Sequence, residues 1–406
     1  MGQRAYATAT PKLRLQKFER RELWNVEPLA SVADFISERV SVAEISAADY
    51  VSTENLLPDY GGKIAASRLP PAGVVTRYRI GDVLISNIRP YLKKVWVADQ
   101  DGGASNDIVV VRARRAVSAS YLAHVLANDA FISYVMRGAR GVKMPRGDVA
   151  AMYGYPVAYP RHDEQQEIAG CLTSLQELIA AQDRTVEALK AHKRGLMQQL
   201  FPREGEAVPR LRFPEFRDEA EWRVVRADSL FRNRREKGER DLPMYSVTMY
   251  DGMVLRSSLD RECDEIQDPG GNKRAHPRDI VYNMMRMWQG ALGVAPEDCV
   301  VSPAYVILAP QREAVPEFFA YFFKTPTALR FLTSHSHGLT ADRLRLYYDD
   351  FARIMLPCPS EREQQKIAAC LSSVDAEIAA NAGRLQALTT HRRYLMGQLF
   401  PAPNPA

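Results

Sequence analysis

The chain is poor in cysteine. There are five in 406 residues, an odd number with no Cys-x-x-Cys spacing, which argues against a disulfide framework and against a structural zinc site. No run of about 18 apolar residues occurs, so no segment reads as a membrane span. The opening stretch Met1–Arg21 is polar and lacks the apolar core of a secretory signal, and Tyr6 stands where myristoylation after Gly2 needs Ser or Thr. A Walker A lysine loop, a glycine-rich dinucleotide fingerprint and a His-Glu-x-x-His pair are all missing. So are the Asn-Pro-Pro-aromatic and Asp-Pro-Pro-aromatic stretches of amino-methyltransferases. A chain without catalysis of its own is expected, in a cytoplasmic, reducing setting. Charge of one sign is scarce too: 54 Lys+Arg against 49 Asp+Glu give +5, which permits nucleic-acid binding without establishing it.

What the sequence does have is a second copy of itself. Pro11–Phe18 followed by Trp24 returns as Pro209–Phe216 followed by Trp222, 198 positions later. Tyr50–Thr53 resembles Tyr245–Thr248, and Gly81–Arg89 resembles Arg278–Arg286, aligning Asp82 with Asp279 and Arg89 with Arg286. Ser105 aligns with Ser302. Pro160–Pro202 matches Pro359–Pro401 without a gap, about half of the positions being identical. The closing segments stay alike while the bodies keep scattered anchors. That pattern suits a shared scaffold carrying two different recognition surfaces.

The closing segments have a helical seam. Ile168, Leu172, Leu175, Ile179, Gln182, Val186, Leu189, Lys193, Leu196 and Leu200 alternate by four and three, as coiled-coil a/d positions do. Ile367, Leu371, Val374, Ile378, Asn381, Leu385, Leu388, Arg392, Leu395 and Leu399 keep the same register. Ser360 and Glu363 have capping-box spacing, Arg161 breaks that box in the first copy, and Pro202 and Pro401 stop both helices. Helices of about 33 residues, roughly 50 Å long, are predicted. The second helix must begin near where the first ended, so the pair is expected to run antiparallel, with the bodies at opposite ends and Gln182 and Asn381 setting register. Two modules so separated suit two short DNA sequences about one or more helical turns apart.

The expected fold class is α+β: two mixed α/β bodies and two long antiparallel coiled-coil helices in a pseudo-two-fold internal repeat. Boundaries fall at 1–160, 161–202, 203–359 and 360–406. Strands are predicted in Asp82–Ile88, Asp107–Arg114, Asp279–Met284 and Ala304–Pro310, and helical stretches in Ser120–Met136 and Glu317–Leu332. Each helical stretch leads into a basic, glycine-containing loop. In Arg137–Asp148 the candidates for phosphate contact are Arg140, Lys143 and Arg146; in Ser334–Arg345 they are His337 and Arg343. Asn272, Lys273, Arg274, Asn283, Arg286 and Gln289 form a cluster of residue types suited to guanine and adenine edges. Arg77, Arg79, Asn87, Arg89, Lys93 and Lys94 occupy the comparable stretch of the first body. Arg89 and Arg286 match between copies and so suit phosphate or support better than base discrimination. Arg232–Arg240 reads as solvated surface, and His335 with His337 lacks further metal-ligand spacing.

The two-copy layout, the tandem Glu-Gln-Gln helix openings at Glu164–Gln166 and Glu363–Gln365, and the stretch Arg278–Val306 resemble the specificity subunit of type I restriction–modification systems. In that stretch Arg278 replaces the glycine expected of the family. The resemblance spans Pro11–Pro401. It implies two target-recognition domains reading a split double-stranded DNA sequence. It also implies that the helical spacer holds two modification (methyltransferase) subunits, with restriction (motor-nuclease) subunits added for cleavage and no membrane involved. S-adenosylmethionine, ATP and magnesium would then belong to the partners. The glutamines of the helix openings are expected to face those subunits. The rival readings are a stand-alone DNA-modifying enzyme and a coiled-coil assembly protein without DNA affinity.

Overall fold

A computed structural model of the chain describes residues 7–141, 143–239, 241–259, 271–340 and 343–401. It divides into two compact units, residues 1–183 with 383–406, and residues 184–382. Both cuts fall inside a long helix, His162–Leu200 and Glu361–Leu399, each of 39 residues. Each is thus roughly 58 Å long, six residues longer than its apolar spacing predicts. The extra turn comes from the polar openings, which the seam pattern does not cover.

In the first unit, Trp24–Pro28 is the middle strand between Ala7–Ala9 and Pro156–Tyr159. A second, antiparallel sheet runs Ala33–Phe35, Ile108–Ala113, Val83–Ser86, Val95–Val97. The second unit repeats that order with Phe231–Asn233, Tyr305–Pro310, Ile280–Asn283 and Leu292–Val294. The β-branched runs predicted as strands are therefore the two central strands of each sheet, buried where sequence alternation is weakest. The first unit adds a sheet of Arg39–Ser41, Val74–Tyr78, Gly102–Ala104 and Tyr50–Val51.

Each predicted helical stretch is broken in two. Ala119–Leu126 stops before Asn128, whose side chain caps Asp129–Arg137 by accepting from the Ala130 N–H. Pro316–Phe322 stops before Thr325, which caps Pro326–Ser334 with proline in its first turn. Apolar periodicity continues across both breaks, which is why the sequence reads through them.

Inside each unit the opening of one long helix lies beside the closing turns of the other, so the two pack together antiparallel there. In the first, Leu13 N–H donates to the Gln398 carbonyl (3.0 Å) while the adjacent Arg14 holds Glu164. Ile168 and Leu172 share a core with Met396, Leu399 and Phe400. In the second, Leu200 and Phe201 share a core with Ile367 and Leu371, and Lys193 pairs with Asp375 at 2.6 Å. Every a/d position named in the sequence is buried or half-buried, Gln182 and Asn381 included.

The helix openings are fastened to their own units by buried polar groups. Arg14 makes a two-pronged pair with Glu164 (2.8 and 2.8 Å), and Arg212 makes the same pair with Glu363 (2.8 and 2.8 Å). Gln165 accepts from Ser118 N–H and donates to the Ala116 and Pro160 carbonyls. Gln364 accepts from Val315 N–H and donates to the Glu313 and Pro359 carbonyls. This corrects the expectation for the glutamines: the first of each pair is fully buried and bonded inside its unit, and only Gln166 and Gln365 are exposed. A buried amide needs several partners, and the unit's own backbone provides them.

Candidate nucleic-acid interface

In each unit the basic loop is a hairpin docked on the end of a central strand. Arg140 and Arg146 exchange backbone hydrogen bonds (2.9 and 2.9 Å), and Gly147 N–H donates to the Asn87 carbonyl. Arg89 N–H donates to the Pro145 carbonyl at 2.7 Å. In the second unit His337 and Arg345 exchange the same pair (2.9 and 2.8 Å), and Leu346 N–H donates to the Met284 carbonyl. The structure thus brings each loop beside its strand-end candidates, Asn87 and Arg89 or Asn283 and Arg286. The side chains of Lys143, Arg286 and Arg343 are exposed.

The candidates differ in how far they are committed. Lys94 donates to the Thr53 carbonyl (2.7 Å), and Lys93 pairs with Asp129 (2.9 Å). Arg77 and Arg79 both reach Glu38. Arg146 pairs with Asp107 (3.2 Å), while Arg140 is largely exposed, 3.9 Å from Asp148. In the second unit Lys273 donates to the Tyr305 carbonyl, and burial, then Arg235, push its ammonium below the ordinary lysine range. Arg274 is held by Asp298 and Glu239. His337 lies 3.2 Å from Asp350. Asn283 accepts from Met285 N–H, and Arg286 donates to Gln289 (3.1 Å). Asn272 is buried, its side-chain oxygen without a hydrogen-bond partner, as is that of Asn87 and the Nε of Arg89.

The aligned aspartates are structural. Asp82 accepts two bonds from Arg112, and Asp279 accepts two from Arg234. Each also caps the turn before its strand, through Arg79 N–H or His276 N–H. The copies keep the carboxylate and draw the arginine from different places, Arg112 within Ile108–Ala113 and Arg234 just after Phe231–Asn233. Lys93 and Gly290 make a similar exchange: both occupy the left-handed region, φ 53° and 86°. Lysine is strained there and glycine is not. The Lys93 ammonium reaches Asp129, a contact glycine cannot make.

Sequence reasoning missed the residues that line the first unit's cavity with Arg89 and Lys94. It measures about 790 Å³, and Thr53, Glu54, Ser105 and Asp107 contribute polar groups. The repeat itself was the available signal, since Thr53 and Ser105 both recur. No group of three or more possible metal ligands occurs among the described residues.

Two units that share the order of one four-stranded sheet each set a hairpin carrying basic side chains on the end of a central strand. Residues 233–390 match the family described as Type I restriction modification DNA specificity domain. The match lies mostly within the second unit, and it is to the family that the sequence resembles. The fold along the chain is that of the S subunits of such systems. The type I restriction–modification S subunit from M. genitalium is 14% identical, with 97% of this chain and 99% of that one covered and a TM-score of 0.62. A chain from a structure addressing complex assembly and conformational transition of the type I R-M system is 20% identical, with 92% and 96% covered and a TM-score of 0.54. No curated protein sequence matches the chain.

If Arg286 meets a DNA phosphate, Arg286→Ala will weaken binding equally across sequences and lower the salt slope of log K by about one. Titration of binding against salt measures this. A changed base preference with an unchanged slope would assign Arg286 to base reading.

Proposed function

We propose that this chain is the sequence-reading subunit of a type I restriction–modification complex, with each unit reading one part of a bipartite, asymmetric DNA target. The long helices act as spacer and as seat for two methyltransferase subunits, and motor-nuclease subunits join for cleavage. The chain itself does not catalyse. S-adenosylmethionine, ATP and magnesium act on the partner chains, and the complex works in the cytoplasm. No helix among the described residues is long and apolar enough to cross a membrane.

The observation that carries this reading is the repeated frame with changed surfaces. Both units keep the bond that docks the hairpin on the strand end, from Gly147 N–H or Leu346 N–H, and the order of the four-stranded sheet, while the side chains displayed on that frame differ. A symmetric reader would display the same ones twice. Long-read methylation sequencing of a host with and without the chain tests it. The expected result is a new motif of two unlike parts separated by unread bases. One continuous palindrome would overturn it.

A further inference from the structure

The internal repeat aligns the two units residue by residue where the hairpin meets the sheet. Asn87 N–H donates to the Asp107 carbonyl (2.8 Å), and Met284 N–H donates to that of Ala304 (3.5 Å). One bond further, Ile108 N–H and Tyr305 N–H donate to the aligned Ser105 and Ser302 carbonyls, both at 3.0 Å. Asp107 and Ala304 are therefore the same place on the same frame. The hairpin residues Arg146 and Arg345 are also equivalent, each paired across its hairpin and followed by the residue whose N–H docks on the aligned Asn87 or Met284 carbonyl. One unit displays a carboxylate beside its arginine, and the other displays a methyl group.

This difference has a direct base-pair meaning. In the major groove guanine presents two acceptors that suit a guanidinium, and its cytosine partner presents an amine that a carboxylate accepts. An arginine beside an alanine keeps the first contact and loses the second, while the alanine methyl suits the thymine methyl. The Asp107–Arg146 pair is placed to be used this way. Asp107 lines the 790 Å³ cavity, and the Asp107 and Arg146 side chains are 40% and 62% exposed and 3.2 Å apart. So exposed a pair adds little to folding stability, and both groups can turn to a base edge without unburying anything.

We propose that Asp107, acting with Arg146, reads one C·G base pair in the part of the target belonging to the first unit. The proposal rests on the DNA-reading function above. The test uses the full chain expressed with its modification subunits in a host without other methylation, followed by long-read methylation sequencing. For Asp107→Ala the expected motif is relaxed at a single C·G pair in one part, with discrimination there falling about 5- to 150-fold. Asp107→Asn should alter the same pair, and Ala304→Asp should alter only the other part. An unchanged motif for Asp107→Ala, relaxation at an A·T pair, or Asp107 and Ala304 variants acting on the same part would each overturn the proposal. So would loss of all methylation by both Asp107 variants in complexes that still assemble, since that result assigns Asp107 to support. Absence of methylation with the unaltered chain would instead take down the functional reading itself.

Discussion

Glu363→Ala is expected to destabilise the second unit by about 3–5 kcal/mol, the usual cost of removing one member of a buried ion pair. The Glu363 carboxylate is fully buried. It accepts both prongs of Arg212 and, at 3.0 Å, the Trp222 indole N–H. Its loss strands a guanidinium that is only 10% exposed and an indole donor in the core. Arg212 keeps the Glu219 and Ala220 carbonyls, which soften the loss without neutralising the charge. The aligned Glu164→Ala should cost about 1 kcal/mol less, because the Trp24 indole nitrogen has no hydrogen-bond partner to lose. Urea unfolding of the two variants measures both. A loss under about 1 kcal/mol for Glu363→Ala would mean that apolar packing alone seats the helix opening.

That pair also shows where the sequence was legible. Arg14 and Arg212 lie in the segments that first revealed the duplication, and Glu164 and Glu363 open the helices, yet about 150 residues separate the partners. Periodicity reports a local face, so the long helices and central strands could be read directly. Nothing local says that an exposed-looking Glu-Gln-Gln folds back into its own unit. The repeat was the missing clue, since a polar motif kept in both copies while the bodies diverged is under a structural demand. The basic candidates show the converse limit. Arg274 and Lys273 look like free readers in sequence, but carboxylates and carbonyls distant in the chain engage them. Asp107 drew no attention because its meaning lies in the contrast with Ala304, which appears only once the backbone bonds align the two.

The same contrast yields a pH-dependent stability localised to the first unit. His124, in Ala119–Leu126, is buried against the opening of the first long helix, 3.1 Å from the Thr173 hydroxyl. Burial and then the positive charge of Arg392 push its pKa down to about 4, against a weaker raising contact with the Ala169 backbone. The aligned place in the second unit holds Tyr321, which donates to Asp375, and Asp375 in turn pairs with Lys193. The first unit has Gln176 where Asp375 would be, so the helix itself places no carboxylate at that position, and the charge of Arg392, which Asp129 offsets in part, acts on the imidazole. Above about pH 6.5 the histidine is neutral folded and unfolded, and its contribution is fully present. As pH falls from 6.5 towards 4, the unfolded chain takes up the proton and the folded chain does not. Stability is therefore lost across that window, by on the order of 3 kcal/mol at its lower end. His124→Gln keeps a polar group near Thr173 and removes the titration. Its urea midpoint should vary less between pH 6.5 and 4 than that of the unaltered chain, with the difference greatest near pH 4. Parallel pH profiles for the two proteins would place the acid sensitivity elsewhere.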